Sequence, residues 1–192
     1  MIDRANDLVK SEALSNVVVM SDDLFHSKLP PGSFDLVHSR FQIAPLGRAT
    51  EQIAAYRRLL RPGGTLVVED PDVGSWRVNP DGSAVHELIG LIERGFLAAG
   101  GDFSSGRAIP SLMRSIGLAP RVTARVVALE PGHPYLRLPL QFAASLRTRL
   151  EALTSPGHVN TLLEQAEAEL SREGTWGTTF TLIQSCAVEP KV

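Results

Sequence analysis

The apolar positions change period along the chain, and each change marks an element. Val17-Val18-Val19-Met20 is a continuous apolar run closed by Ser21-Asp22-Asp23, which reads as a buried strand. Pro30-Pro31-Gly32-Ser33 is turn chemistry, and residues 34–38 read as a second strand. From Thr50 the period becomes helical. Ile53, Tyr56, Leu59 and Leu60 form one stripe, and Arg57, Arg58 and Arg61 occupy the last turns, where cations complement the helix dipole. Pro62-Gly63-Gly64 ends that helix in a turn, and residues 65–69 are a third strand, apolar enough to be covered on both faces. A helix between two such strands makes a β-α-β unit, hence a parallel pair with a right-handed crossover.

Residues 71–106 are richer in glycine, proline and polar side chains and hold one helix over 84–99. Pro110 and Gly117 bracket a short helix. Val122, Ala124, Val126 and Ala128 alternate with Thr123, Arg125 and Val127, as in a half-buried strand. Two helices follow, one with a stripe of Leu138, Phe142, Leu146, Leu150 and Leu153, the other with Val159, Leu162, Leu163, Ala166 and Leu170. A last strand over 178–188 puts Phe180, Leu182, Cys186 and Val188 on one face. The expected fold is α/β: a Rossmann-like, mostly parallel sheet with helices on both faces, and an antiparallel C-terminal strand pair carrying a helical insertion. Residues 1–192 then form one domain, with 71–110 as a loop and helix over the active edge and 131–174 as an inserted lid.

Composition narrows the partners. The net charge of −2, from 19 basic and 21 acidic residues, includes no basic stripe, which argues against a nucleic-acid backbone. The single cysteine, Cys186, excludes an internal disulfide and a multi-cysteine metal site and reads as a small buried hydrophobe. The early charges Asp3, Arg4 and Asp7 leave no signal-peptide core, and no apolar run approaches the ~18 residues of a membrane span. A cytoplasmic protein with neither membrane nor nucleic acid as partner is expected.

Three segments carry a family resemblance. The stretches 16–25 (NVVVMSDDLF), 29–40 (LPPGSFDLVHSR) and 59–70 (LLRPGGTLVVED) together resemble the middle of a class I S-adenosylmethionine-dependent methyltransferase. The resemblance extends over residues 1–130 and the final strand. It implies a Rossmann-like fold, S-adenosylmethionine as cofactor, and methyl transfer to a small-molecule acceptor. In doubly wound sheets ligands bind at the carboxyl ends of the parallel strands.

Asp23, with Asp22 and Leu24 beside it, matches the family position that contacts the adenine. Asp3 in Ile2-Asp3-Arg4 matches the acidic residue that accepts the ribose hydroxyls. Ser39 and Arg40 match residues lining the cofactor edge. Trp76, Arg107, His133 and Tyr135 lie in loops over that edge and are the candidates for substrate contact. His133 or His86 could act as a general base, but a lone histidine is more often structural, so no catalytic residue is assigned. Glu69, Asp70 and Asp72 read as a solvated acidic strand end, and no metal is expected. Pro62-Gly63-Gly64 lacks the spacing of a phosphate loop.

The family's glycine-rich cofactor loop has no counterpart ahead of Asp3. The resemblance therefore implies a truncated domain of impaired activity, or a non-catalytic methyltransferase-like module that binds a ligand or partner. The strand at 17–20 would then pair directly with 34–38, receive a strand from a second copy in a homodimer, or face a gap.

Overall fold

The computed structural model describes residues 2–191. Its elements, in chain order, are α1 (Ile2–Ser11), β1 (Phe34–Arg40), α2 (Ile43–Leu46), α3 (Ala49–Leu59), β2 (Leu60–Asp72), β3 (Arg77–Asn79), α4 (Ser83–Leu97), α5 (Ile109–Ser115), β4 (Arg121–Arg125), β5 (Ala128–Leu129), α6 (Leu138–Leu153), α7 (Pro156–Leu170), β6 (Trp176–Thr178) and β7 (Thr181–Val188). Short 3-10 turns lie at Leu24–His26, Val73–Ser75, Ser105–Arg107 and Pro134–Arg137.

The main sheet has the order β1-β2-β7-β4. β1 and β2 are parallel, and β7 runs antiparallel to both β2 and β4. Three of the four strands therefore point one way, with β7 reversed between them. A small second sheet, β3-β6-β5, stands beyond the carboxyl end of β2.

Two hydrophobic cores result. Leu66 and Val68 of β2 meet Ile53 and Tyr56 of α3 and Ile109 and Met113 of α5 on one face of the main sheet. The other core joins α4, α6 and α7 to Trp76, Phe103 and the second sheet. Residues 131–174 contribute α6 and α7 to this second core, and β6 and β7 then bring the chain back to the main sheet.

Four local expectations are corrected. Residues 17–20 form no strand: β1 pairs only with β2, so the run finds no partner, and Val18 is 84% exposed. Pairing of 17–20 with 34–38 does not occur. Asp3 ends no strand but lies in the first turn of α1, where a carboxylate complements the helix dipole. That segment, Ile2–Ser11, is amphipathic and contains one β-branched residue beyond its first position, which favours helix. Pro62-Gly63-Gly64 is a bulge inside β2, with Gly63 at φ 77; the register jumps from Phe34↔Leu60 to Leu36↔Thr65. All five residues of β4 are exposed, because β4 is the sheet's edge strand.

Candidate functional site

Strand alternation decides what faces the site. In β1, Ser39 points to the covered face, where its hydroxyl donates to Tyr56 Oη at 2.9 Å; Tyr56 in turn donates to Gln52 Oε1 at 2.7 Å. Burial pushes the Tyr56 phenol up. Ser39 is therefore a core hydrogen-bonding residue and does not line the cofactor edge, a correction that follows from the period of two.

Arg40, its neighbour, points to the opposite face. That face carries the register rows Arg40–Glu69–Gln184–Thr123 and Leu182–Arg125. These residues line a cleft of about 200 Å³. Adjoining it, and sharing Arg40, Arg125 and Leu182, is an apolar cavity of about 190 Å³ completed by Val127, Tyr135, Leu138, Thr179 and Phe180. The two open at the carboxyl ends of β1 and β4. The segment 131–174 contributes Tyr135 and Leu138 to the wall of the apolar cavity.

Electrostatics in the cleft are unequal. Glu69 is mostly buried; Gln184 Nε2 donates to its Oε1, while Arg40 Nε and His38 Nε2 each stand 3.6 Å from its Oε2. Arg125 has no carboxylate partner among the described residues. Phe41, directly after Arg40, holds a left-handed backbone at φ 55, uncommon for a bulky residue. This turns its ring against Phe180 at 5.4 Å, edge to face.

Other predicted residues fall elsewhere. Trp76 is no exposed substrate contact. It is 2% exposed, stacked on Phe103 at 5.7 Å and edge-on to Phe180 at 5.5 Å. Its loop folds back because so large an apolar ring is more stable buried. Arg107 pairs with Asp72 and lines neither cavity. His133 caps the turn at Pro134–Arg137 by accepting from Tyr135 N at 3.1 Å. His86 lies in α4 beside a narrow crevice at Trp76 and Val85, away from the cleft.

The three acids at the end of β2 do not cluster. Glu69 faces the cleft, Asp72 binds Arg107, and Asp70 is fully buried on the covered face. Among the described residues no group of three or more His, Cys, Asp or Glu side chains could hold a metal. The larger cavity, about 410 Å³, lies at the amino end between α3 and the chain's C-terminal residues, beside the Arg57–Glu189 ion pair. Among the described residues no helix is long and apolar enough to cross a membrane.

Asp22 and Asp23 lie in the turn leading to Leu24–His26. Ser27 donates to Asp22, which lowers its pKa, and the hydrogen bond from His26 Nδ1, 2.9 Å away, does the same for Asp23. Asp23 also caps the turn by accepting from Phe25 N at 3.0 Å. Arg48, at the start of α3, stacks on Phe25 with its guanidinium 3.7 Å from the ring centroid. Because α3 begins where β1 ends, this holds Asp23 toward the carboxyl edge. Leu24 packs sideways against the α3 core.

Residues 1–68 match the methyltransferase domain family. Among solved structures, a candidate methyltransferase from Bacillus halodurans C-125 aligns over 99% of this chain and 79% of its own, at 12% identity and a TM-score of 0.63. The Haemonchus contortus phosphoethanolamine N-methyltransferase 2, in complex with phosphomonomethylethanolamine and S-adenosylhomocysteine, aligns over 100% and 42%, at 17% identity and a TM-score of 0.53. The first 68 residues are thus similar to a methyltransferase domain, and the fold is similar to that of solved methyltransferases. The [4+2]-cyclase SpnF is also similar in fold, over 100% of this chain and 64% of its own, at 17% identity and a TM-score of 0.52. No curated protein matches the sequence. The chain spans less than half of the nematode enzyme's length.

The methyltransferase family uses S-adenosylmethionine, and the fit of that cofactor here is partial. Asp23 offers an exposed carboxylate at the appropriate edge. Ser39 is turned into the core and Asp3 sits in α1, which buries no residue. Neither cavity of the site is lined by Asp3, Asp22, Asp23, Leu24 or Ser39. The two cavities are thus lined by other residues than those the resemblance implies for the nucleoside.

Proposed function

We propose that this chain serves S-adenosylmethionine-dependent methyl transfer to a small-molecule acceptor, and that the cleft at Arg40 and Arg125 is the acceptor side of the site. The observation that carries this reading is the position of the cleft. It lies at the carboxyl edge of a methyltransferase-like sheet, beside the apolar cavity that Tyr135 and Leu138 help line, where doubly wound folds place their ligands.

The cofactor supplies an electrophilic methyl group. This chain's part is to bind and orient the acceptor: Arg40 and Arg125 hold a polar group, while Tyr135, Leu138 and Phe180 exclude water from the apolar end. Alignment of this kind can carry most of the catalysis in a displacement reaction. Asp23 is the cofactor contact, and affinity for the cofactor is weak because the other nucleoside contacts do not converge.

A second reading, a methyltransferase-like module that binds a ligand without transferring a methyl group, is favoured by the placement of Asp3 and the unpaired run at 17–20. Calorimetry with S-adenosylhomocysteine separates the two. Methyl transfer predicts measurable binding that Asp23→Ala weakens by roughly threefold to tenfold. Absence of binding to the parent chain favours the module.

A further inference from the structure

Resting on the acceptor-site reading above, the geometry points to the chemical class of the ligand. We infer that the paired cavities bind a small amphipathic carboxylate, its anionic group at Arg40 and Arg125 and its apolar body against Tyr135, Leu138 and Phe180.

The charges in the cleft select the head group. Arg40 and Arg125 face one acid, Glu69, whose oxygens are occupied by Gln184 on one side and shared by Arg40 and His38 on the other. One net positive charge remains, at the mouth of a cleft of about 200 Å³. Arg125 is the cation whose charge is not offset. It extends from the edge strand β4, on the register row of Leu182, between the polar cleft and the apolar cavity. A guanidinium binds a carboxylate through two parallel N–H donors, so a monoanion completes this arrangement. A cationic head would meet two guanidinium groups, and a neutral one would leave Arg125 without a partner.

The lining of the second cavity selects the body. Leu138, Phe180, Leu182, Val127 and the ring of Tyr135 make it largely apolar, and the hydroxyl of Thr179 already accepts from Val127 N at 3.1 Å. Arg40, Arg125 and Leu182 belong to both cavities, so head and body are joined without a break. Each half has a volume of about 200 Å³, which suits a chain of several carbons rather than a large polycyclic body.

The test is equilibrium titration of the whole chain with octanoate, octan-1-ol and octylamine. Trp76 fluorescence provides the readout, because its ring lies 5.5 Å from that of Phe180, which lines the cavity. Octanoate is expected to bind at least about tenfold more tightly than octanol, and octylamine not to bind. Arg125→Gln should abolish the octanoate preference, bringing the octanoate and octanol affinities to within about twofold of each other. Arg121→Gln, on the same strand outside both cavities, should change neither and controls for folding. Equal affinity for octanoate and octanol, or an octanoate preference that survives Arg125→Gln, overturns the inference. Octyl phosphate binding more tightly than octanoate overturns the choice of a monoanion. No cofactor is needed in any arm. Carboxylate binding without methyl transfer would sink the functional reading and leave this one standing, whereas transfer to neutral acceptors with no carboxylate preference would do the reverse.

Discussion

Asp70 Oδ1 accepts a hydrogen bond from Ala44 N at 2.8 Å, linking the end of β2 to the first turn of α2 across 26 residues of sequence. Ser105 Oγ donates to the same oxygen at 3.3 Å, while Oδ2 has no partner. The carboxylate is fully buried, so desolvation outweighs these hydrogen bonds and pushes its pKa up to about 6 from an ordinary value near 3.8.

That shift makes stability depend on pH. Between pH 4 and 6 the folded chain holds the Asp70 proton more tightly than the unfolded chain does, so this contribution stabilises at low pH and is lost as pH rises through 6. The full difference corresponds to about 3 kcal/mol. Asp70→Asn should remove it. Urea midpoints at pH 4.5, 5.5, 6.5 and 7.5 should show the parent losing stability relative to the variant as pH rises. Parallel curves for the two proteins would refute the buried, proton-binding role.

Phe103 is enclosed by Trp76, Phe96, Phe142 and Phe180, all with centroids within 5.7 Å. Phe103→Ala should cost about 3–5 kcal/mol of unfolding free energy, since so dense a cluster cannot collapse around the cavity. A loss under about 1 kcal/mol would show this core to be loosely packed.

Glu169 of α7 accepts from Ala84 N at 3.2 Å and Val85 N at 2.9 Å, capping α4 from a separate helix. No side chain from the start of α4 itself caps it, because its N-cap is Gly82. Glu169→Ala should destabilise by about 1–2 kcal/mol, as loss of a cap does. Native-state hydrogen exchange should localise the effect to the first turn of α4; a uniform change would contradict the capping role.

The elements were legible where one period ran long. The stripes of α3, α6 and α7 and the alternation of β7 depend on neighbours in sequence, and their bounds match the reading closely. What failed was non-local. The run at 17–20 has strand chemistry, but a strand exists only with a partner. Asp70 looked like a solvated strand end because α2, whose N–H groups it caps, lies 26 residues earlier. Trp76 looked like a loop aromatic because nothing local reveals that Phe103, Phe142 and Phe180 converge on it. The sequence names Arg40 for the cofactor edge and Tyr135 for a substrate loop, and both line the apolar cavity, but it does not single out Arg125. The alternation over 122–128 already put Arg125 on the face opposite Val122 and Ala124, and the position of β4 at the sheet edge, unknown from sequence, gives that face its meaning.

Whether the carboxyl-edge cleft holds the methyl acceptor is tested most directly by label transfer from S-adenosylmethionine to a panel of small amphipathic carboxylates. Arg40→Gln and Arg58→Gln would be compared with the parent, Arg58 lining the larger cavity at the amino end. The cleft reading predicts slow transfer by the parent, a loss of at least about tenfold in kcat/KM for Arg40→Gln, and no change for Arg58→Gln. Transfer that withstands Arg40→Gln, or that falls with Arg58→Gln, would contradict it.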